Sequence, residues 1–155
     1  MEELRIPKRQ LEIETVNVDG VRRQVIVYLS EFLEHRAGGE RVSDLLNSDE
    51  DFFPVVDKET NATLFLAREG LMFARVRTQE ELTPVEQTNP LTEHCVDISL
   101  SDGAMIKGVL AYLRQPERAR VVDVLNEPGR FLPVRTGDFT LLINKRHIVF
   151  IGVQQ

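Results

Sequence analysis

The chain has 155 residues, 42% of them hydrophobic and 28% charged, with a formal net charge of −6. This is the make-up of a globular protein of one domain or two small ones, and no apolar run is long enough for a transmembrane helix. The negative balance excludes a protein that coats nucleic acid by charge alone, because that mode needs many Lys and Arg contacts to phosphate.

Residues 1–11 form an arm in which Arg5, Lys8 and Arg9 make a basic cluster, usually a solvated tail. The first ten residues have no apolar core and do not read as a secretory signal. From 12 to 18 apolar and polar residues alternate, the period-2 signal of a half-buried strand. Asp19-Gly20 then supplies a hairpin turn, and 21–29 supplies the returning strand. Segment 28–39 extends that strand or forms a short helix across one end of the fold, with Leu29, Phe32 and Leu33 at helical spacing, Ser30 as cap and Gly38 as terminator. Arg41-Val42-Ser43-Asp44-Leu45-Leu46-Asn47 precedes three further strands at 52–56, 63–67 and 71–76. The stretch 78–92 is polar, contains Pro84 and Pro90, and has the composition of a tether. The pattern then starts again, with strands at 96–100 and 105–113, Asp102-Gly103 between them, and strands at 131–134, 139–143 and 147–153.

The second pass is a copy of the first. Arg120-Val121-Val122-Asp123-Val124-Leu125-Asn126 matches residues 41–47 at five of seven positions, 79 residues on. Phe52-Phe53-Pro54-Val55 matches Phe131-Leu132-Pro133-Val134 at the same offset. Thr63-Leu64-Phe65-Leu66 matches Thr140-Leu141-Leu142-Ile143, and Phe73 matches Phe150, at an offset of 77. Order, spacing and chemistry are kept together, so the chain reads as a duplication: a first repeat at 12–77, a linker at 78–92 and a second repeat at 93–155. Five short strands on such short connections cannot form a parallel sheet, which needs long crossovers. The expected fold is mainly β: two five-stranded antiparallel small barrels, each with a short helical turn.

That helical turn is the R-V-x-D-x-L-N motif, which supports two readings. As a binding loop, Arg41, Asp44 and Asn47, with Arg120, Asp123 and Asn126, would hydrogen-bond a guest. As a folding element, Asp44 or Ser43 caps one helical turn, each Arg pairs with the Asp three residues on, and Asn47 and Asn126 take the left-handed position that ends the turn.

Val96-Asp97-Ile98-Ser99-Leu100-Ser101-Asp102-Gly103-Ala104-Met105-Ile106-Lys107-Gly108-Val109-Leu110 resembles the first signature of the Sm-like barrels: an alternating strand, an Asp-Gly turn and an apolar-x-Gly step. Asn144-Lys145-Arg146-His147-Ile148-Val149-Phe150-Ile151 resembles their closing signature. The likeness covers about half of each repeat and extends to other SH3-like small barrels. It implies a small barrel and, from the Sm-like family, RNA binding. The chain departs from that family in its long insertion after the second strand, and in Val25 where the first repeat would place the glycine. It also looks like a group of bacterial small-barrel proteins bearing this insertion motif, a likeness that implies no particular activity.

Charge separates the repeats. Residues 41–76 carry four basic and seven acidic side chains, whereas 118–153 carry six basic and three acidic. Two solvated surfaces that drifted apart would show this, and so would copies that dock within a chain or head to tail between chains.

Catalytic chemistry is hard to place. His94-Cys95 brings two possible metal ligands together, but neighbours in a strand point to opposite faces, so no metal is expected. The single cysteine excludes an intramolecular disulfide framework and fits a cytoplasmic protein. No phosphate-cradling glycine loop is present, and no carboxylate is flagged by an apolar setting that would raise its pKa. The expectation is a non-enzymatic interaction or assembly module without cofactor or membrane, binding a protein partner or forming a homo-oligomer. RNA contact through Lys145, Arg146 and His147 is the alternative. A weaker one is a small-ligand or nucleotide sensor built on Arg41, Asp44, Arg120 and Asp123.

Overall fold

The Asp-Gly pairs form the hairpins their sequence predicts. Asp19 Oδ1 accepts the Val21 N–H at 2.9 Å, and Gly20 takes φ +86°. Asp102 Oδ1 likewise accepts the Ala104 N–H at 2.9 Å, with Gly103 at φ +90°. Glycine meets these left-handed angles without steric cost. The turns join β1 (Lys8–Asn17) to β2 (Arg22–Ser30), and β6 (Thr92–Leu100) to β7 (Met105–Tyr112). The computed structural model describes residues 8–31, 38–115 and 120–154. Phe32 and Leu33 of the expected short helix, with Arg5 and Arg118, lie outside the described residues.

After α1 (Val42–Leu46) come β3 (Phe52–Asp57), β4 (Thr63–Ala67) and β5 (Leu71–Arg77). After α4 (Val121–Leu125) come β8 (Phe131–Thr136), β9 (Phe139–Asn144) and β10 (Ile148–Val153). Among the described residues all pairings are antiparallel, and the ten strands make one sheet in the order β10-β6-β7-β8-β9-β5-β1-β2-β3-β4. Each half thus has the same internal order, fifth strand first and fourth strand last.

Pro54 and Pro133 stand within β3 and β8, where a missing N–H would normally break a ladder. The β2–β3 pairing is confined to Val25–Asp57 and Ile26–Val56, and the β7–β8 pairing to Val109–Arg135. Both prolines therefore lie beyond the paired stretch on that side. Gly108 lets the crossing at β8 be close, since a Cβ there would stand 2.6 Å from the Arg135 carbonyl oxygen and from Val134 Cγ1.

The sequence reading makes two barrels joined by a tether. The described strands instead run on as one sheet, because β5 pairs with β9, from Phe73–Ile143 to Arg77–Phe139. Two apolar cores flank that seam. Leu142 and Phe131 of the second half pack in the first core, and Met72 of the first half packs in the second. Leu141 and Ile143 face the second core while Leu142 faces the first. A strand buried on both faces needs apolar residues at consecutive positions, which is the run seen at 141–143.

The linker is itself structured. It forms α2 (Thr78–Glu81) and α3 (Pro84–Thr88), the latter opened by Thr83, whose hydroxyl accepts the Glu86 N–H at 3.2 Å while Glu86 accepts the Thr83 N–H at 3.1 Å. No described helix is long and apolar enough to cross a membrane.

Candidate functional site

The two R-V-x-D-x-L-N motifs occupy different surroundings. In both, Asp reaches back to the backbone N–H of its Arg: Asp44 to Arg41 at 2.8 Å and Asp123 to Arg120 at 3.3 Å. Each pair also makes a side-chain ion pair, Arg41–Asp44 at 3.6 Å and Arg120–Asp123 at 3.1 Å. That hydrogen bond raises the Arg120 guanidinium and lowers the Asp123 carboxyl from their usual values. Asn47 and Asn126 are not left-handed, a correction to the sequence reading: their φ values are −86° and −96°. Their side chains are used instead. Asn126 Nδ2 donates to the Val122 carbonyl at 2.9 Å, and Asn47 Oδ1 accepts the Phe131 N–H at 2.9 Å across the seam between halves.

The first motif faces a cavity of about 390 Å³ between the halves. Arg41, Asp44 and Asn47 line it with Glu81, Tyr112 and Arg135, whereas Arg120, Asp123 and Asn126 do not. Arg41 donates to the Glu81 carbonyl at 2.8 Å and pairs with Glu86 at 3.5 Å. The structure therefore engages three of the six motif residues at the seam and leaves Arg120 largely in solvent.

Lys145, Arg146 and His147 also lie at the seam, in a 3-10 turn between β9 and β10. Lys145 Nζ donates to the Glu127 carbonyl at 2.7 Å, and burial pulls its ammonium below the usual lysine range. Arg146 pairs with Glu69 at 3.5 Å, and His147 Nε2 lies 2.9 Å from the Glu69 carbonyl oxygen. Arg130 completes the cluster, 3.3 Å from Glu69. Glu69 of the first half thus meets a basic group of the second.

Three further residues carry structural weight, and the sequence reading named no role for any of them. Arg68 is buried over the Phe53 ring and donates to the carbonyls of Leu45, Glu50 and Phe52. Asn144 is buried and donates to the carbonyls of Arg68 and Leu71. Glu81, inside the supposed tether, accepts the N–H groups of Val42 at 2.9 Å and Ser43 at 3.3 Å. Burial raises its carboxyl pKa, against hydrogen bonds from Ser43 and the charge of Arg41. The sequence flags no such carboxylate, because Glu81's polar neighbours hide a setting that only the packed helix α1 creates. The one readable hint was Arg68 matching Lys145 at the 77-residue offset.

His94 and Cys95 do not converge: His94 stacks near Tyr112, Nε2 3.2 Å from its hydroxyl, and Cys95 is exposed. Among the described residues no group of three His, Cys, Asp or Glu side chains could hold a metal ion.

Among the described residues the sheet ends at β4 on one side and β10 on the other. Phe65 on β4, Phe52 on adjoining β3, and Val149, Phe150 and Val153 on β10 are exposed. No family model, curated protein or solved structure matches the chain.

Proposed function

We propose that the chain is a non-enzymatic interaction module made of two small β-barrels, Sm-like or SH3-like, that binds a protein partner or further copies of itself. The observation that carries this reading is the pair of open sheet edges flanked by large exposed apolar side chains. An edge strand offers unpaired N–H and C=O groups to an incoming strand, and apolar side chains beside it add area to bury. Nothing charged blunts β4, whose sequence is Thr63-Leu64-Phe65-Leu66-Ala67.

The test is a binding measurement on the intact protein, immobilised and offered cell extract and its own free form. Saturable capture of a protein, lost in Phe65→Glu or Val149→Glu, supports the reading. Absence of any saturable protein ligand, itself included, overturns it.

The solvent-exposed Arg146, beside Lys145 and His147, supports a second reading as an RNA contact. Single-stranded RNA binding that weakens with salt and is lost in Arg146→Glu would favour it. No binding at low salt would remove it.

A further inference from the structure

We propose that chains of this protein join head to tail, β10 of one adding to β4 of the next as β5 and β9 already pair within the chain. The inference rests on the interaction-module reading and names the partner as a second copy.

The internal seam is a template because its two strands have counterparts at the free edges. By the 77-residue offset β10 corresponds to β5, and β4 corresponds to β9. Transferring the observed register (Phe73–Ile143, Ala74–Leu142, Arg75–Leu141, Val76–Thr140) gives a definite contact between chains. Phe150 would stand opposite Leu66, Ile151 opposite Phe65, Gly152 opposite Leu64 and Val153 opposite Thr63.

Burial follows the same correspondence. Phe65 is 69% exposed, while its counterpart Leu142 is 0% exposed in the opposite half's core. Phe52 is 58% exposed and Phe131 3%; Val149 is 65% exposed and Met72 2%. Leu142, Phe131 and Met72 are buried residues that reach across the internal seam. The bare apolar side chains at the edges therefore sit at the positions that the seam covers. Two free edges of unlike kind, each matching one side of an existing junction, are what a repeating contact leaves at its ends.

Charge selects head-to-tail over pairing of like edges. Within the chain, Glu69 meets Arg130 and Arg146. Between chains the counterpart of Glu69 is Arg146, and the counterparts of Arg130 and Arg146 are Asp51 and Glu69. The signs are exchanged and still opposite, with Glu69 and Arg146 shared between their internal pair and the contact between chains. A β4–β4 contact would instead face the acidic half with itself, a like-charge approach that disfavours it.

The contact between chains is the weaker of the two. Internally Arg75 stacks on Phe139, 3.4 Å from the ring centroid, and Thr78 bonds Thr140 at 3.0 Å. Gly152 and Ala62 stand at the counterparts of Arg75 and Phe139, so that stack is missing between chains. Association is accordingly concentration-dependent. A contact between unlike surfaces closes into a ring or continues as a filament, according to its rotation.

Two variants, each damaging one edge, give the test by analytical ultracentrifugation. Wild-type protein is expected above the single-chain mass of 17.7 kDa at high micromolar concentration. Phe65→Glu and Val149→Glu, both at exposed sites, are each expected at the single-chain mass with an unchanged thermal melt. Mixed together they retain one intact β10 and one intact β4, and are expected to form a one-to-one dimer and nothing larger. Single-chain mass for the wild type overturns the inference, as does either variant alone keeping the wild-type mass. In the first case capture of a different protein, lost in the same variants, would leave the interaction-module reading standing. As a second readout, Thr63→Cys with Val153→Cys in a Cys95→Ser background should oxidise to disulfide-linked multimers. Absence of that link in an associating protein overturns the register.

Discussion

Asn47 and Phe131, 84 residues apart, are tied across the seam by a 2.9 Å hydrogen bond from the Phe131 backbone N–H to the Asn47 side-chain oxygen. Asn126, at the same place in the second half, instead donates to the carbonyl of Val122 in its own helix. The same residue in the same motif thus joins the halves at one site and closes a helical turn at the other. Asn47→Ala strands a partly buried N–H and is expected to cost about 1–3 kcal/mol, against about 0.5–1 kcal/mol for Asn126→Ala. Urea denaturation of both variants checks the difference; equal losses would remove the special status of Asn47.

Glu81 predicts a pH dependence. Burial raises its folded-state pKa above the value in the unfolded chain. The contribution is therefore fully present below the unfolded pKa and is lost as pH rises through the folded one. Glu81→Gln keeps an acceptor for Val42 and Ser43 without the buried charge. Its stability relative to wild type should rise from about pH 4 towards neutrality. Glu81→Ala, by leaving both N–H groups unpaired, should be less stable throughout by about 1–3 kcal/mol. Urea midpoints for the three proteins across pH decide this, and a flat Gln-minus-Glu difference would count against it.

Gly108, half-buried on β7, is predicted to resist substitution. A Cβ would meet backbone, the Arg135 carbonyl oxygen at 2.6 Å, which cannot swing aside as a flexible side chain would. Gly108→Ala should destabilise by about 1–3 kcal/mol, the scale of local overpacking. A thermal melt within error of wild type would show that β7 and β8 can separate at no cost.

Arg146 is predicted to control salt sensitivity. If it faces Asp51 and Glu69 of a neighbouring chain, Arg146→Glu should weaken association. Added salt should weaken wild-type association and relieve part of the variant's defect. Sedimentation across a salt series reads both; association that ignores ionic strength in both proteins would discard the charge argument.

Much of the fold is legible along the chain. Alternation marks β1 and β6 because a strand with one buried face repeats every two residues. Asp19-Gly20 and Asp102-Gly103 mark hairpins because the glycine takes a positive φ there. The Arg41–Asp44 and Arg120–Asp123 pairs follow from three-residue spacing on a helical turn. Candidate residues Arg41, Asp44 and Asn47 do gather at a cavity, but so does Glu81, which composition assigned to a tether.

The sequence by itself determined the strands, their turns, the repetition of the motif and the unequal charge of the halves, all of which are local properties of a few residues. Only the tertiary structure decided that β5 meets β9, that Asn47 reaches Phe131, and that Leu142 is covered while Phe65 is bare. The physical reason is that period and propensity state which face of a strand is apolar. They do not state which strand lies beside it, and at equivalent positions of the two halves that neighbour alone separates a buried residue from an exposed one.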